Sequence, residues 1–267
     1  ATLSSAQPSS ISISGNVYTL GIPLTGYPPS GGETLTVVPV DNGIYDATGN
    51  EASTTQSNNT VTLNDKMYPY LTAASLAADN SYIDATYSEG LYSNNDGTGV
   101  IDTSDSTPIF VQNGGNATNA IFTSVKQQDN TSESSASALE AGATTGRAFL
   151  RITGIPSGVE TISWKSRDNA SVFDALGNAG PGTTATTPLV LNDQLAPTIS
   201  SVSLHADNTT IAVTMSEAVY RSTSGSGALE TTNFTLSISG GIATLSSAQP
   251  SSISISGNVY TLGIPLT

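Results

Sequence analysis

The chain has 267 residues, seven Lys and Arg against 21 Asp and Glu, a formal net charge of −14 and no cysteine. So few cations cannot form the basic footprint that nucleic acid or an anionic membrane surface requires, and without thiols there is no disulfide, thiolate metal site or cysteine nucleophile. No apolar run approaches the roughly 20 residues of a membrane-spanning helix. The 25 residues that open the chain, ATLSSAQPSSISISGNVYTLGIPLT, recur letter for letter at 243–267, a period of 242 residues. Identity of that length means recent duplication, and the chain reads as one period plus an overlap, cut from a longer array. After this block Thr34-Leu35-Thr36-Val37-Val38 alternates with period two, predicting a strand near 33–40, and a second is expected near 59–64.

A diverged repeat lies inside the period. SLAADNSYIDATYSEGLY at 75–92 aligns without gaps to SLHADNTTIAVTMSEAVY at 203–220, with ten of eighteen positions identical and an offset of 128. The same offset carries Gly97 and Gly99 onto Gly225 and Gly227, Asp46-Ala47-x-Gly49-Asn50 onto Asp174-Ala175-x-Gly177-Asn178, and Leu63-Asn64-Asp65 onto Leu191-Asn192-Asp193. One offset uniting separated motifs indicates two copies of one domain type. Residues 66–195 form a complete copy, here domain B. Domain A is divided: its N-terminal and middle part lies at 196–267, and its C-terminal part at 1–65.

Strands of A are expected near 198–206, 209–219, 234–240, 242–247, 251–256, 258–263, 33–40 and 59–64. Thr, Val, Ile and Tyr dominate these runs, and Gly-Asn, Asn-Asp-Gly and Ser-Gly punctuate them. No stretch carries a sustained helical stripe; residues 136–143 come nearest, and Gly142 closes them. Seven or eight short strands in about 110 residues predict an all-β class built as tandem immunoglobulin-like β-sandwiches in an elongated array. Domain B adds a long loop at 93–107 and a Ser/Ala-rich segment at 131–145.

The strings P-T-I-S-S-V-S-L at 197–204, I-A-V-T-M-S-E-A-V-Y at 211–220, G-N-V-Y-T-L at 257–262 and I-Y-D-A-T-G-N at 44–50 resemble bacterial Ig-like repeats. Such repeats build giant secreted adhesins, surface-layer proteins and gliding-motility surface proteins. The resemblance covers both domains and implies a bacterial, extracellular or cell-surface location, a role in cell adhesion or a surface filament, and calcium at the linkers between domains.

In such a sandwich the Ser-Glu loop after the second strand and the Asp-Ala-x-Gly-Asn turn after the sixth lie at the N-terminal pole, where the preceding domain ends in Asn-Asp. Asp65, Glu89 and Asp174 should therefore gather at the A-to-B junction. Asp193 and Glu217 should gather at B-to-A, with the equivalent of Asp46 supplied by a following copy. Close carboxylates repel unless a cation joins them, and Ca²⁺, a hard ion that takes six to eight oxygens, suits such a cluster. The competing reading is turn chemistry alone, with Asp closing an Asx-turn and Gly taking positive φ. The EF-hand spacing fails at 92–97, because Tyr92 holds the first ligand position.

No enzyme is expected. His205 is the only histidine, and domain B carries Ala77 in its place. Trp164 and Ile162 alternate on one strand, so at least one should face the core. Six Asn-x-Ser/Thr triplets, at Asn58, Asn116, Asn130, Asn169, Asn208 and Asn233, fit an extracellular surface.

The leading functional expectation is a structural repeat of a long bacterial surface protein, giving reach and calcium-stiffened rigidity, with neighbouring copies of the repeat as its partners. A second is a filament assembled head-to-tail between chains by strand complementation of domain A. A third is a carbohydrate- or surface-binding module, for which the 93–107 loop is the candidate contact.

Overall fold

A computed structural model describes all of residues 1–267, and it is all-β, with several small antiparallel sheets and a single 3₁₀ turn at Thr231–Asn233. The chain divides into two compact units, residues 1–194 and 195–267.

In the first unit the strands are β1 (Thr2–Leu3), β2 (Ile11–Ser14), β3 (Val17–Leu20), β4 (Leu24–Thr25), β5 (Thr34–Thr36), β6 (Thr60–Thr62), β7 (Leu71–Leu76), β8 (Tyr82–Leu91), β9 (Ser106–Val111), β10 (Asn119–Lys126), β11 (Ala143–Thr153), β12 (Thr161–Ser166) and β13 (Leu189–Val190). The first six pair only locally, as β1–β4, β2–β3 and β5–β6. The remaining seven form two sheets, ordered β10-β11-β8-β7 and β13-β12-β9.

Those two sheets share one core. Ile83, Ala85, Phe122 and Ala148 from the larger sheet meet Ile162 and Trp164 from the smaller. Trp164 is 1% exposed, and the rings of Tyr87 and Phe122 pack against it at centroid distances of 6.1 and 5.4 Å. Period-two alternation does this: Ile83 and Ala85 point inward from β8, as Ile162 and Trp164 do from β12. The 136–143 segment is not helical. Leu139 drops into the core, and Ala138 bridges to Lys126.

An arginine is buried beside this core. Arg147 on β11 lies directly opposite Asp84 on β8, and its guanidinium donates from two nitrogens to both carboxylate oxygens, each at 2.7 Å. It donates a third bond to the Asn130 carbonyl, and its Cζ sits 3.7 Å from the centroid of the Tyr82 ring.

In the second unit β14 (Ile199–Leu204), β15 (Thr210–Met215), β16 (Ile253–Ser256) and β17 (Val259–Gly263) form one sheet ordered β14-β15-β17-β16. This is the order β7-β8-β11-β10 again, strand for strand. Its small core of Val213, Tyr260 and Leu262 is joined by Phe234 and Leu236. Two expected strands are absent as such. Residues 234–240 pair with no strand, because no neighbour like β12 runs beside them, and 242–247 is reduced to one bridge between Leu245 and Leu266. In the first copy of that sequence the corresponding pair, Leu3 with Leu24, belongs to a two-residue ladder.

The Arg147–Asp84 pair gives a direct test. The corresponding cross-strand pair of the second unit is Thr261 with Ala212. Arg147→Thr alone strands Asp84 beside the core, and should lower the unfolding free energy of the first unit by about 3 kcal/mol. The double change Arg147→Thr with Asp84→Ala should cost less than the single one. Urea denaturation followed by the fluorescence of Trp164, the only tryptophan, measures both.

Candidate metal centre

Asp174 ends the short segment after β12 in a self-closed turn. Its Oδ1 accepts the backbone N–H groups of Leu176 and Asn178, each at 2.8 Å, and its Oδ2 accepts the Asn178 side-chain amide at 2.6 Å. Asp46 builds the same turn in 1–65, accepting the N–H groups of Thr48 and Asn50 at 2.8 Å and the Asn50 amide at 2.8 Å. These bonds, the Asn50 side chain first, hold the Asp46 carboxyl well below the usual carboxylate range. The turn therefore forms from local chemistry alone.

The surroundings separate the two. Asp46 is exposed, whereas Asp174 is 1% exposed and sits under the loop that follows β8. The backbones interlock there. A Cβ on Gly97 would lie 2.7 Å from the Ala175 carbonyl oxygen, and one on Gly177 would lie 2.4 Å from that of Asn95. Gly97 and Gly177 also hold φ of +74° and +81°, so both positions require glycine. Tyr92 and Phe173 then exchange backbone hydrogen bonds of 2.9 and 2.8 Å.

This closure brings three carboxylates together. Asp65, Glu89 and Asp174 place one oxygen each within 4.8 Å of one another. They come from the end of the 1–65 segment, from β8 and from the 174–178 turn. Asn178 also reaches across, donating from its side-chain amide to the Asp65 carbonyl at 3.3 Å. Asp65 Oδ1 accepts the Met67 N–H at 2.8 Å, while Glu89 accepts no hydrogen bond. None of the chain's ion pairs involves these three acids. The charge must go somewhere: burial first, then the neighbouring Asp174 and Asp65 carboxylates, push the Glu89 carboxyl up to about 7.

The donor set is oxygen only, with unused lone pairs on Glu89 and on the outer oxygens of Asp65 and Asp174. That chemistry fits a hard divalent cation such as Ca²⁺, and gives no soft ligand for a transition metal. The other expected acids are placed differently. Asp193 closes the first unit, and Glu217 lies in the second unit just after β15. Asp46 stands apart from the cluster in its own turn.

His205 is exposed, with Nδ1 2.6 Å from Asp207 Oδ1 in the turn between β14 and β15. All six Asn-x-Ser/Thr asparagines are exposed. Sequence reasoning missed Glu160, which is fully buried. Burial pushes its carboxyl up, but hydrogen bonds from the Ala117 and Ser157 backbone N–H groups and the Ser157 hydroxyl outweigh this and hold it at about 2. The visible signal was Gly-x-Glu-Thr, present as Gly31-Gly32-Glu33-Thr34 and Gly158-Val159-Glu160-Thr161. Glu33 accepts the Ser30 N–H at 2.9 Å as Glu160 accepts that of Ser157 at 2.9 Å. No protein-family model matches the chain, and neither a curated protein nor a solved structure matches it.

The raised Glu89 carboxyl fixes a pH dependence. The folded state holds this proton up to about pH 7 while the unfolded chain releases it near its ordinary 4.5, so stability falls as pH rises between those values. In chelator, the urea midpoint of the first unit should decline from pH 5 to pH 7.5, and Glu89→Gln should flatten that decline. A wild-type midpoint constant over this range would contradict the assignment.

Proposed function

We propose that this chain is a repeat unit of a long bacterial extracellular surface protein, an adhesin stalk or surface filament, built of tandem Ig-like sandwiches and stiffened by calcium at the junctions. The observation that carries the reading is the position of the acid cluster. Asp65 ends one segment while Glu89 and Asp174 belong to the next, so a cation held by all three ties consecutive parts of the array together. A hinge becomes a strut when its two sides share one ion.

The strand order supports the Ig-like part. The order β10-β11-β8-β7 in one sheet and β13-β12-β9 in the other is the order expected of a constant-type Ig sandwich, whose fourth, fifth, second and first strands lie on one side and whose seventh, sixth and third lie on the other. The resemblance of the S-E-A-V-Y and D-A-x-G-N strings to bacterial Ig-like repeats supports the location. Abundant Ser, Thr and Asn with net charge −14 suits a surface array that must stay soluble at high copy number.

Calcium titration tests the reading. Millimolar Ca²⁺ should raise the urea midpoint of the first unit, by about 2.7 kcal/mol when the ion is at a hundred times its dissociation constant. Near pH 7 it should also release protons, because binding displaces the proton held by Glu89. Asp174→Asn should remove both effects. A response to Ca²⁺ no larger than the response to NaCl of equal ionic strength would overturn calcium stiffening.

A further inference from the structure

The connection between β10 and β11 is longer than a hairpin requires. A tight turn of about two residues joins an antiparallel pair, and Gly257-Asn258 do so between β16 and β17, the strands of the second unit that correspond to β10 and β11. Residues 127–142 take that place in the first unit. They have no apolar stripe to explain their course: between 129 and 138 only Ala136 is buried. Polar bonds to the end of β10 set the path instead.

Lys126, the last residue of β10, organises them. Its Nζ donates to the carbonyls of Glu133 and Ala136, at 2.6 and 3.3 Å. Ser124, on the same strand, donates from its hydroxyl to Glu133 Oε1 at 2.6 Å. Backbone contact runs alongside: the Gln127 N–H donates to the Ser137 carbonyl at 3.0 Å, and Lys126 bridges to Ala138. Arg147 holds the start of the segment through the Asn130 carbonyl, at 2.6 Å.

The place of this segment gives it a role. β10 is an edge strand, paired only with β11. Over its eight residues it has no proline and no charge before Lys126, so its own sequence lacks the features that keep an open edge from accepting another strand. β16, the corresponding edge, is four residues long and has no such segment beside it. In β10 the ladder shifts register between Phe122 and Ser124, and the segment lies along the part that follows, from Ser124 to Lys126. Bulge and segment together leave a regular edge only at Asn119–Phe122, no longer than β16.

We propose that residues 129–138 are a strap that shuts the edge of β10 against the addition of a further strand, with Lys126 as its latch. Released, the strap uncovers Ser124–Lys126 and lengthens the edge open to another chain. The latch acts through charge-assisted bonds to carbonyl oxygens, which a methionine of similar length does not make. This inference rests on the pairing of β10 and β11, and neither on the Ig-like reading nor on calcium.

Hydrogen exchange and cross-linking test the latch and the edge separately. Lys126→Met should speed amide exchange over 127–138 by about tenfold or more, the factor expected from one lost charge-assisted bond, while the fluorescence of Trp164 stays native. Thr123→Cys, exposed at the bulge of β10 in a chain with no other thiol, then reports on the edge. In a purified sample the only strands available are those of other copies, so under mild oxidation its disulfide dimer should form faster with Lys126→Met than without it, by the same factor. Lys165→Met is the control. Lys165 Nζ donates in like manner to the Gly182 and Arg167 carbonyls, at 2.7 and 3.4 Å, but from β12, so its loss should leave the cross-linking rate unchanged.

Unchanged exchange in Lys126→Met rejects the latch. Raised exchange with no faster cross-linking rejects the role at the edge, and equal acceleration by Lys165→Met does the same. Should Lys126→Met fail to fold, a site-specific protease sequence placed at 132–135 lets the strap be cut after folding. The cut chain must then cross-link faster than the intact one, and equal rates overturn the proposal.

Discussion

A sheet with one apolar face must have something laid across it, and that two-layer requirement governs this chain from end to end. Where it is met, in 66–194, Trp164 and Ile162 from one sheet close over Ile83, Ala85 and Ala148 from the other, and burial is complete. Where it is not, the same sequence patterns give short ladders and exposed apolar side chains. Val17 and Tyr18 on β3 are 65% and 59% exposed, although the identical residues Val259 and Tyr260 on β17 are half-buried and buried. Identical sequence with different burial isolates context as the cause. β17 lies between β15 and β16, whereas β3 has only β2. The difference is worth about 2 kcal/mol for a side chain the size of tyrosine, before any gain from the added ladder.

The acid junction rests on that scaffold rather than competing with it. Turn chemistry and cation binding stood as rival readings of Asp-Ala-x-Gly-Asn, and the two copies of the turn separate them. Asp46 and Asp174 close the same Asx-turn with bonds of nearly the same length. The turn is therefore local and needs no ion. What differs is the company it keeps: only at Asp174 do the 93–97 loop and the end of the preceding segment close in, bringing Glu89 and Asp65 within reach. The turn aims Asp174 at the cluster, and burial together with the neighbouring carboxylates raises the affinity of Glu89 for its proton. Under the calcium proposal, cation binding displaces that proton.

The convergence of Asp65, Glu89 and Asp174 was legible in sequence because it needed only the offset between copies and the alternating direction of successive strands. Strand positions were legible where alternation was strong, as at Thr210–Met215 and Ile253–Ser256. The failures have one physical origin, which is that pairing partners lie far away in sequence. Residues 234–240 read as a strand from their own alternation, but a strand exists only beside another, and theirs is absent from the unit. Arg147 and Asp84 are 63 residues apart, and nothing in either local pattern announces the pair. Glu160 looked like an ordinary polar residue before β12. Its burial follows from the loop at 115–117 folding over it, with a hydrogen bond from the Ala117 N–H.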